Sequence, residues 1–141
     1  MDKIYHYALK LLKTRDHTVF ELSKKLESKF GEAPSEVMQQ LLQKKFLNDR
    51  RFAQTYVERR RHRGAAQVRD ELAARGVPLD IAEEILAAAD WPSLQEALKA
   101  KMNDWRLRPP VDSRDAARLF RALFRLGYDE DAIREEIDKL E

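Results

Sequence analysis

The sequence predicts an all-α protein, an elongated array of three tandem three-helix repeats. Three similar five-residue segments, at 37–41, 81–85 and 133–137, have two aliphatic residues four positions apart around polar ones. Each segment follows a glycine by five or six residues, and each glycine follows another apolar pair at helical spacing. Self-similarity at a nearly fixed interval is typical of helical repeat arrays. The predicted repeats span residues 1–47, 48–90 and 91–141.

Capping signals define the helices of the first repeat. An apolar stripe over residues 5–12 predicts the first helix. Thr18 and Glu21 match a capping box that opens the second helix. Gly31 is suited to end this helix, because glycine readily adopts a left-handed backbone. Pro34 is expected to start the third helix, since its fixed φ suits a first helical position.

Later helices follow from the same signals. The third helix is expected to carry Lys44 and Lys45 in its last turn, where positive charge is favourable. Asn48 and Asp49 cap the fourth helix, and Gly64 breaks its pattern. The last five helices are predicted around residues 68–75, 81–89, 94–105 (ended by Arg108-Pro109-Pro110), 113–126 and 129–140.

The composition excludes several classes of protein. Hydrophobic residues make up 43% of the 141 residues, which is too apolar for a disordered chain. There is no cysteine, so no disulfide framework is expected. No apolar run approaches the roughly 18 residues of a membrane span, and residues 1–12 lack the pattern of a signal peptide. We therefore expect a soluble, cytoplasmic monomer without a membrane partner.

The formal net charge is only +2, but the charge is distributed unevenly along the chain. Residues 44–75 hold ten basic and four acidic side chains, whereas residues 109–141 hold six basic and nine acidic ones. A local excess of positive charge indicates that the middle of the chain meets an anionic partner.

No catalytic, metal or cofactor motif is recognisable. His6, His17 and His62 are scattered, and no acidic metal loop accompanies them. No glycine-rich loop follows a predicted strand, so nucleotide binding has no support. Carboxylates fit surface helix positions, such as Glu71 four residues before Arg75. We expect no enzyme activity, no cofactor and no metal.

The strongly basic stretch around the fourth helix has the most chemical character. Phe52 and Tyr56 are expected to face the core, while Arg59 and Arg63, four positions apart, would share an exposed helix face. A solvated basic helix explains this pattern, and so does a contact with DNA phosphates or an acidic protein face. Both interpretations stay open here. The candidate partner- or nucleic-acid-binding residues are Lys44, Lys45, Arg51, Arg59, Arg60, Arg63 and Arg69.

An ordered set of motifs runs through the first two predicted repeats. Its members are Asp16-His17, Glu21-Leu22, Lys25-Leu26, Phe46-Leu47-Asn48-Asp49, Arg51-Phe52-Ala53, Tyr56-Val57, Arg60, Gly64, Val68, Glu71-Leu72 and Gly76-Val77. This combination resembles the RecX family, bacterial regulators of the RecA recombinase. The resemblance covers essentially the whole chain, and it is dense from about Leu9 to Ile85 and looser after Trp91.

The resemblance implies a fold of three-helix repeats, in agreement with the periodicity. It also implies a non-enzymatic regulator in DNA repair, recombination and the SOS response. Such a protein binds RecA, lies in the groove of the RecA–DNA filament and mostly inhibits its ATPase and strand exchange. Weak direct DNA binding is a secondary expectation. The alternative is a stand-alone helical DNA-binding module that acts through the basic middle repeat and binds bare DNA without RecA.

Overall fold

Nine α-helices and one short 3-10 helix make up the computed structural model, which describes residues 2–141 and the side chains of residues 3–141. No strand is formed within these residues, so the all-α prediction is confirmed. The helices are α1 (Asp2–Thr14), α2 (Val19–Phe30), α3 (Ser35–Gln43), α4 (Asp49–Arg60), α5 (Ala65–Ala74), α6 (Leu79–Ala88), α7 (Leu94–Asp104), α8 (Ser113–Arg125) and α9 (Glu130–Asp138), with the 3-10 helix at Arg61–Arg63.

The start and end of α2 form as the sequence predicts. The Thr18 hydroxyl oxygen accepts a hydrogen bond from the Glu21 amide (3.0 Å), and the Glu21 carboxylate accepts one from the Thr18 amide (3.1 Å). This reciprocal pair satisfies two amides that helix geometry would leave without partners. At the other end, Gly31 adopts a left-handed backbone with φ of 82° and closes the last turn.

Both ends of α3 differ from the prediction by one or two residues. The helix begins at Ser35, because Pro34 has an extended backbone and serves as the N-cap. It ends at Gln43, so the expectation that Lys44 and Lys45 lie in its last turn was wrong. Lys44 is the C-cap, and Lys45 turns the chain with a φ of 61°. Both lysines therefore belong to the corner between α3 and α4.

The end of α4 corrects a second expectation. The Asn48 side chain accepts a hydrogen bond from the Arg51 amide (3.0 Å), which caps the start of the helix as predicted. The expectation that Asp49 also caps this helix was wrong, because Asp49 is its first residue and its carboxylate accepts from the Val19 amide. The α-helical backbone stops at Arg60, where φ is −127°, and Arg61–Arg63 continue as a 3-10 helix. Because the α-helical spacing ends there, the prediction that Arg59 and Arg63 share one helix face was wrong.

The last five helices all end one or two residues earlier than predicted. α7 ends at Asp104, well before the two prolines at 109–110, because Arg106 adopts a left-handed φ of 56° and the Leu107 amide bonds back to the Met102 carbonyl (2.8 Å). α9 ends at Asp138 and not at residue 140.

The first of two compact units contains the described residues up to Arg59 together with Arg69–Ala89. The predicted core positions Phe52 and Tyr56 are buried, with 7% and 6% of their surface exposed. One cluster of this core is formed by Ala8, Leu22, Leu26, Val37, Met38, Leu41 and Leu47. The buried residues of α4 to α6 in this unit are Phe52, Ala53, Tyr56, Val57, Leu72, Val77, Ala82, Ile85 and Leu86.

The second unit contains Arg60–Val68 and Asp90–Glu141. The Tyr128 hydroxyl donates to the Pro92 carbonyl (2.5 Å), and the Val111 amide donates to the Leu140 carbonyl (2.9 Å), so both connections around α7 are tied to the rest of the unit. Its buried cluster comprises Ala97, Leu98, Met102, Val111, Ala116, Leu119, Leu123, Ile133 and Ile137. The repeat boundaries, the elongated arrangement and the monomeric state stay predictions.

Candidate interaction surface

The seven basic residues singled out in the sequence are divided between the two compact units. Lys44, Lys45, Arg51, Arg59 and Arg69 belong to the first unit. Arg60 and Arg63 belong to the second unit, and both are partly buried. The structure therefore defines two basic groups, one in each unit.

The α3–α4 corner, residues 42–47, carries two exposed lysines. The Lys44 ammonium donates to the Tyr5 hydroxyl (3.2 Å) and lies 5.3 Å from the centre of the Tyr5 ring. A cation at this distance is attracted by the electron-rich face of the ring. Lys45 has a left-handed backbone. This conformation costs a residue other than glycine roughly 1–3 kcal/mol, and it persists only where the surrounding structure imposes it. The surroundings of this corner must therefore fix its conformation.

Arg51 supplies that constraint. Its Nη1 donates to the Lys45 carbonyl (2.7 Å), and its Nη2 donates to the Phe46 carbonyl (3.2 Å). Nη2 also lies 3.6 Å from a carboxylate oxygen of Asp16. Carbonyl groups just beyond a helix end lack helical donors, so the guanidinium satisfies groups that the turn leaves open. The structure gives Arg51 an internal role, and its contact with a partner stays a prediction.

Arg59 and Arg69 have different surroundings in the first unit. Arg59 is exposed near the end of α4. Arg69 forms a forked contact with Glu83, with Nε 2.6 Å from Oε1 and Nη2 3.5 Å from Oε2. Because this pair is about half exposed, it contributes little to folding, but it compensates the Arg69 charge locally. Lys44, Lys45 and Arg59 are thus the exposed cations of the predicted set in this unit.

A group of hydrogen bonds connects the start of α2 with the start of α4 and with the turn between α5 and α6. We call it the joint; its members are Thr18, Glu21, Asp49, Tyr56, Glu71 and Arg75. The Thr18 hydroxyl donates to the Arg75 carbonyl (2.5 Å), and Arg75 Nη1 donates to Glu21 Oε2 (3.2 Å). An Asp49 carboxylate oxygen accepts from the Val19 amide (2.9 Å). These contacts link segments up to 57 positions apart.

Aromatic and acidic side chains complete the joint. The Tyr56 hydroxyl donates to Glu71 Oε2 (2.6 Å), and the Arg75 guanidinium lies 5.1 Å from the centre of the Tyr56 ring. Burial raises the pKa of Asp49 above its usual value, although the hydrogen bond from the Val19 amide opposes this rise. Glu71 and Arg75, which the sequence suggested as a local helix pair, thus both contribute to contacts between helices.

His17 lies beside the joint and is 2% exposed. Its Nδ1 is 3.0 Å from the Arg15 carbonyl, while its Nε2 is buried without a hydrogen-bond partner among the described residues. Burial lowers the pKa of His17, and the nearby positive charges of Arg15 and Lys25 lower it further. The contact with Arg15 assigns the proton to Nδ1 and leaves Nε2 unprotonated.

The joint accounts for many of the motif residues that carry the family resemblance. Asp49, Tyr56 and Glu71 are members of it, and His17 packs beside it. Gly76 follows Arg75 directly, and a Cβ atom there would lie 2.3 Å from the Phe20 side chain. Contacts within the fold therefore account for these residue types, and the residues do not form a catalytic site.

The described part of the chain offers little for chemistry. Within it, no group of three or more histidine and acidic residues could hold a metal ion. No described helix is both long enough and apolar enough to cross a membrane.

A groove of about 440 Å³ between α4 and α6 is lined partly by Arg50, Val57, Glu84 and Ile85. Arg50 and Glu84 pair there at 3.0 Å, and this contact lowers the pKa of Glu84.

The fold and the surface define a class: all-α proteins of small helical units whose described residues carry exposed basic side chains and no cluster that could hold a metal ion. Residues 48–86 match the family model described as the second three-helix domain of RecX. The regulatory protein RecX of Leptothrix cholodnii is 36% identical over 91% of this chain and 83% of its own length. That of Chlorobium phaeobacteroides is 32% identical over 98% and 93%. This chain belongs to the RecX family of regulatory proteins, which are not enzymes.

A solved structure supports the fold independently. The crystal structure of RecX from Lactobacillus salivarius covers 98% of this chain and 96% of its own, with a TM-score of 0.73 at 21% sequence identity. Together with the match to a three-helix domain, this likeness confirms the predicted fold of tandem three-helix units.

Sequence reasoning missed the exposed aromatic side chain of the α3–α4 corner. Phe46 is 45% exposed, whereas the adjacent Leu47 is 1% exposed and belongs to the core. The available signal was the pair itself: two large apolar neighbours in a short turn cannot both face one core.

Proposed function

We propose that this chain binds RecA and the RecA–DNA filament and lowers the filament's ATP hydrolysis and strand exchange. One observation carries the proposal: a regulatory RecX protein aligns with 98% of this chain and 93% of its own length. Similarity over nearly the whole of both chains favours a shared role more strongly than a shared domain would.

The proposed mode of action is occupation of the filament groove. A helical protein without a nucleotide-binding loop can change the rate of ATP hydrolysis by RecA only by acting on the filament. It can do so by holding RecA subunits or by obstructing incoming DNA. The exposed cations Lys44, Lys45 and Arg59 suit carboxylates or phosphates that line such a groove. Each exposed contact contributes little alone, so the surface is expected to act as a group.

Filament dependence is the test of this proposal. Labelled protein is titrated with single-stranded DNA, with free RecA, and with RecA filaments formed on the same DNA, at several salt concentrations. We expect tight binding to filaments, weak binding to bare DNA, and weakening as salt rises through physiological strength, where charges are screened beyond about 8 Å. Equal affinity for bare DNA and for filaments would instead identify a stand-alone DNA-binding module.

A further inference from the structure

We propose that the α3–α4 corner anchors this chain to its filament by inserting Phe46 into an apolar pocket with an acidic rim on the recombinase protein. The inference rests on the proposed function and names the part of this chain that would make the contact. The partner surface is identified by its chemistry: an apolar depression for a ring, with carboxylates beside it.

Two large apolar side chains at the corner face solvent. Phe46 is 45% exposed and Leu42 is 43% exposed, whereas Leu41 and Leu47 are almost completely buried in the core. Single exposed apolar residues are common, but two within five positions beside two lysines form a surface that a partner can desolvate. Aromatic side chains at such positions are frequent anchors of protein interfaces.

The backbone that presents Phe46 is held on both sides. The amides of Phe46 and Leu47 both bond to the Leu41 carbonyl (3.0 and 3.2 Å). On the other side, Arg51 donates to the carbonyls of Lys45 and Phe46. A side chain on a backbone that is already ordered loses less entropy on binding, which favours affinity.

The charge around the corner determines which partner it suits. Residues 37–48 contain no aspartate or glutamate, and Lys44 and Lys45 are both exposed. Two acidic groups close to the corner have internal partners, since Asp16 pairs with Arg51 and Asp49 accepts from the Val19 amide. An uncompensated positive rim around an apolar tip complements an apolar pocket bordered by carboxylates.

A protein partner fits these features better than nucleic acid does. Leu42 is aliphatic and offers no flat face for stacking on a base. The Lys44 ammonium lies against the Tyr5 hydroxyl and ring, so its charge is held at a fixed place beside the apolar side chains. A ring beside an aliphatic side chain instead fills a concave pocket in a protein.

The first test compares two phenylalanines of equal exposure in the same unit. Phe46→Ala should weaken binding to RecA filaments by about fivefold or more, the loss typical of an interface anchor. Phe20→Ala, at a position 44% exposed on α2, is the matched control and should leave affinity unchanged. Melting curves of both variants establish that each is folded. Equal affinity of wild type and a folded Phe46→Ala would overturn the inference.

A second measurement remains decisive if Phe46→Ala does not fold. Lys45→Gln alone should do little, but Lys44→Gln combined with Lys45→Gln should weaken filament binding, whereas Lys24→Gln combined with Lys25→Gln, at two exposed lysines on α2, should not. A photoreactive phenylalanine analogue at position 46 should crosslink to the RecA polypeptide in purified filaments. Crosslinking to DNA, or to neither component, would overturn the inference. If wild-type protein does not bind filaments at all, the proposed function itself fails, which is a separate result.

Discussion

Tyr56 illustrates how single residues connect the helices of the first unit. Its ring is buried, its hydroxyl donates to Glu71, and the Arg75 guanidinium lies over its face. A base-stacking role would need an exposed ring, so the prediction that Tyr56 faces the core is confirmed. Tyr56 and Glu71 thus contribute to the fold of the first unit.

Substitutions of Tyr56 should therefore reduce stability before they reduce binding. Tyr56→Phe should lower the free energy of unfolding by about 1.5–3 kcal/mol, because it removes the hydrogen bond from the Tyr56 hydroxyl to the Glu71 carboxylate. Tyr56→Ala should cost more, about 3–5 kcal/mol, through the cavity that it creates. Urea unfolding measures both values. Unchanged stability of Tyr56→Ala together with lost filament binding would show that the residue contacts the partner.

A similar loss is expected at Leu72, which is completely buried. Leu72→Ala should cost about 2–5 kcal/mol, whereas Leu42→Ala, at a position 43% exposed, should cost about 1 kcal/mol or less. The difference between the two unfolding free energies measures the contribution of burial. Equal losses would contradict the assignment of Leu72 to the core.

His17 should make the stability of the first unit sensitive to acid. Its pKa in the folded protein is lowered from 6.5, chiefly by burial, so the unfolded chain binds its proton first as pH falls. The free energy of unfolding should therefore decrease as pH falls through 6.5, until the lower folded pKa is reached. The raised pKa of Asp49 acts in the opposite direction, but in the more acidic range of a carboxylate.

Melting temperatures at pH 7.5 and 5.5 (about one unit on either side of the ordinary histidine value) measure this dependence. His17→Gln should lose less stability over this interval than wild type, because it has no group there to protonate. The same pH dependence in wild type and His17→Gln would rule out His17 as its source.

At the scale of helices and turns, the sequence predicted what is local and missed what is not. The Thr18–Glu21 capping box was predictable because its two members lie three positions apart. The second bond of Thr18, to the Arg75 carbonyl, was not, since no periodicity relates residues 57 positions apart. The expectation that Lys44 and Lys45 lie in the last turn of α3 failed for a related reason. Arg51 stabilises a left-handed backbone at Lys45, which local propensity disfavours.

Two glycines at helix ends should respond differently to the same substitution. Gly31 and Gly76 have nearly the same left-handed φ, 82° and 84°. A Cβ on Gly31 meets nothing within 4 Å, whereas a Cβ on Gly76 would lie 2.3 Å from Phe20 Cβ. Gly31→Ala should thus cost only the backbone strain of about 1 kcal/mol, and Gly76→Ala considerably more. Equal melting temperatures of the two variants would show that the Phe20 side chain moves aside without a loss of stability.

On the scale of the whole molecule, the proposed binding rests on many weak charges. Arg59, Arg60 and Arg63 lie within five positions of the chain, and their combined replacement by glutamate reverses the charge of the basic segment. Glutamate forms helices well, so helix content should persist, although acids near a helix end lower stability slightly. Filament binding measured by anisotropy should weaken by about tenfold or more, a change that salt would reduce.

A matched triple reversal provides the control. Arg114, Arg121 and Arg125 are exposed on α8, and their replacement by glutamate changes the net charge equally. This variant should bind filaments more tightly than the first triple variant does. If the reversal of Arg59, Arg60 and Arg63 binds and inhibits as well as wild type, the basic segment is a solvated face.

The rate of ATP hydrolysis by RecA on single-stranded DNA, measured with increasing amounts of this protein, tests the proposed regulation most directly. We expect the rate to fall with added protein until it saturates, and the protein alone to hydrolyse no ATP. An unchanged RecA rate at saturating protein, or ATPase activity intrinsic to this chain, would contradict the proposed function.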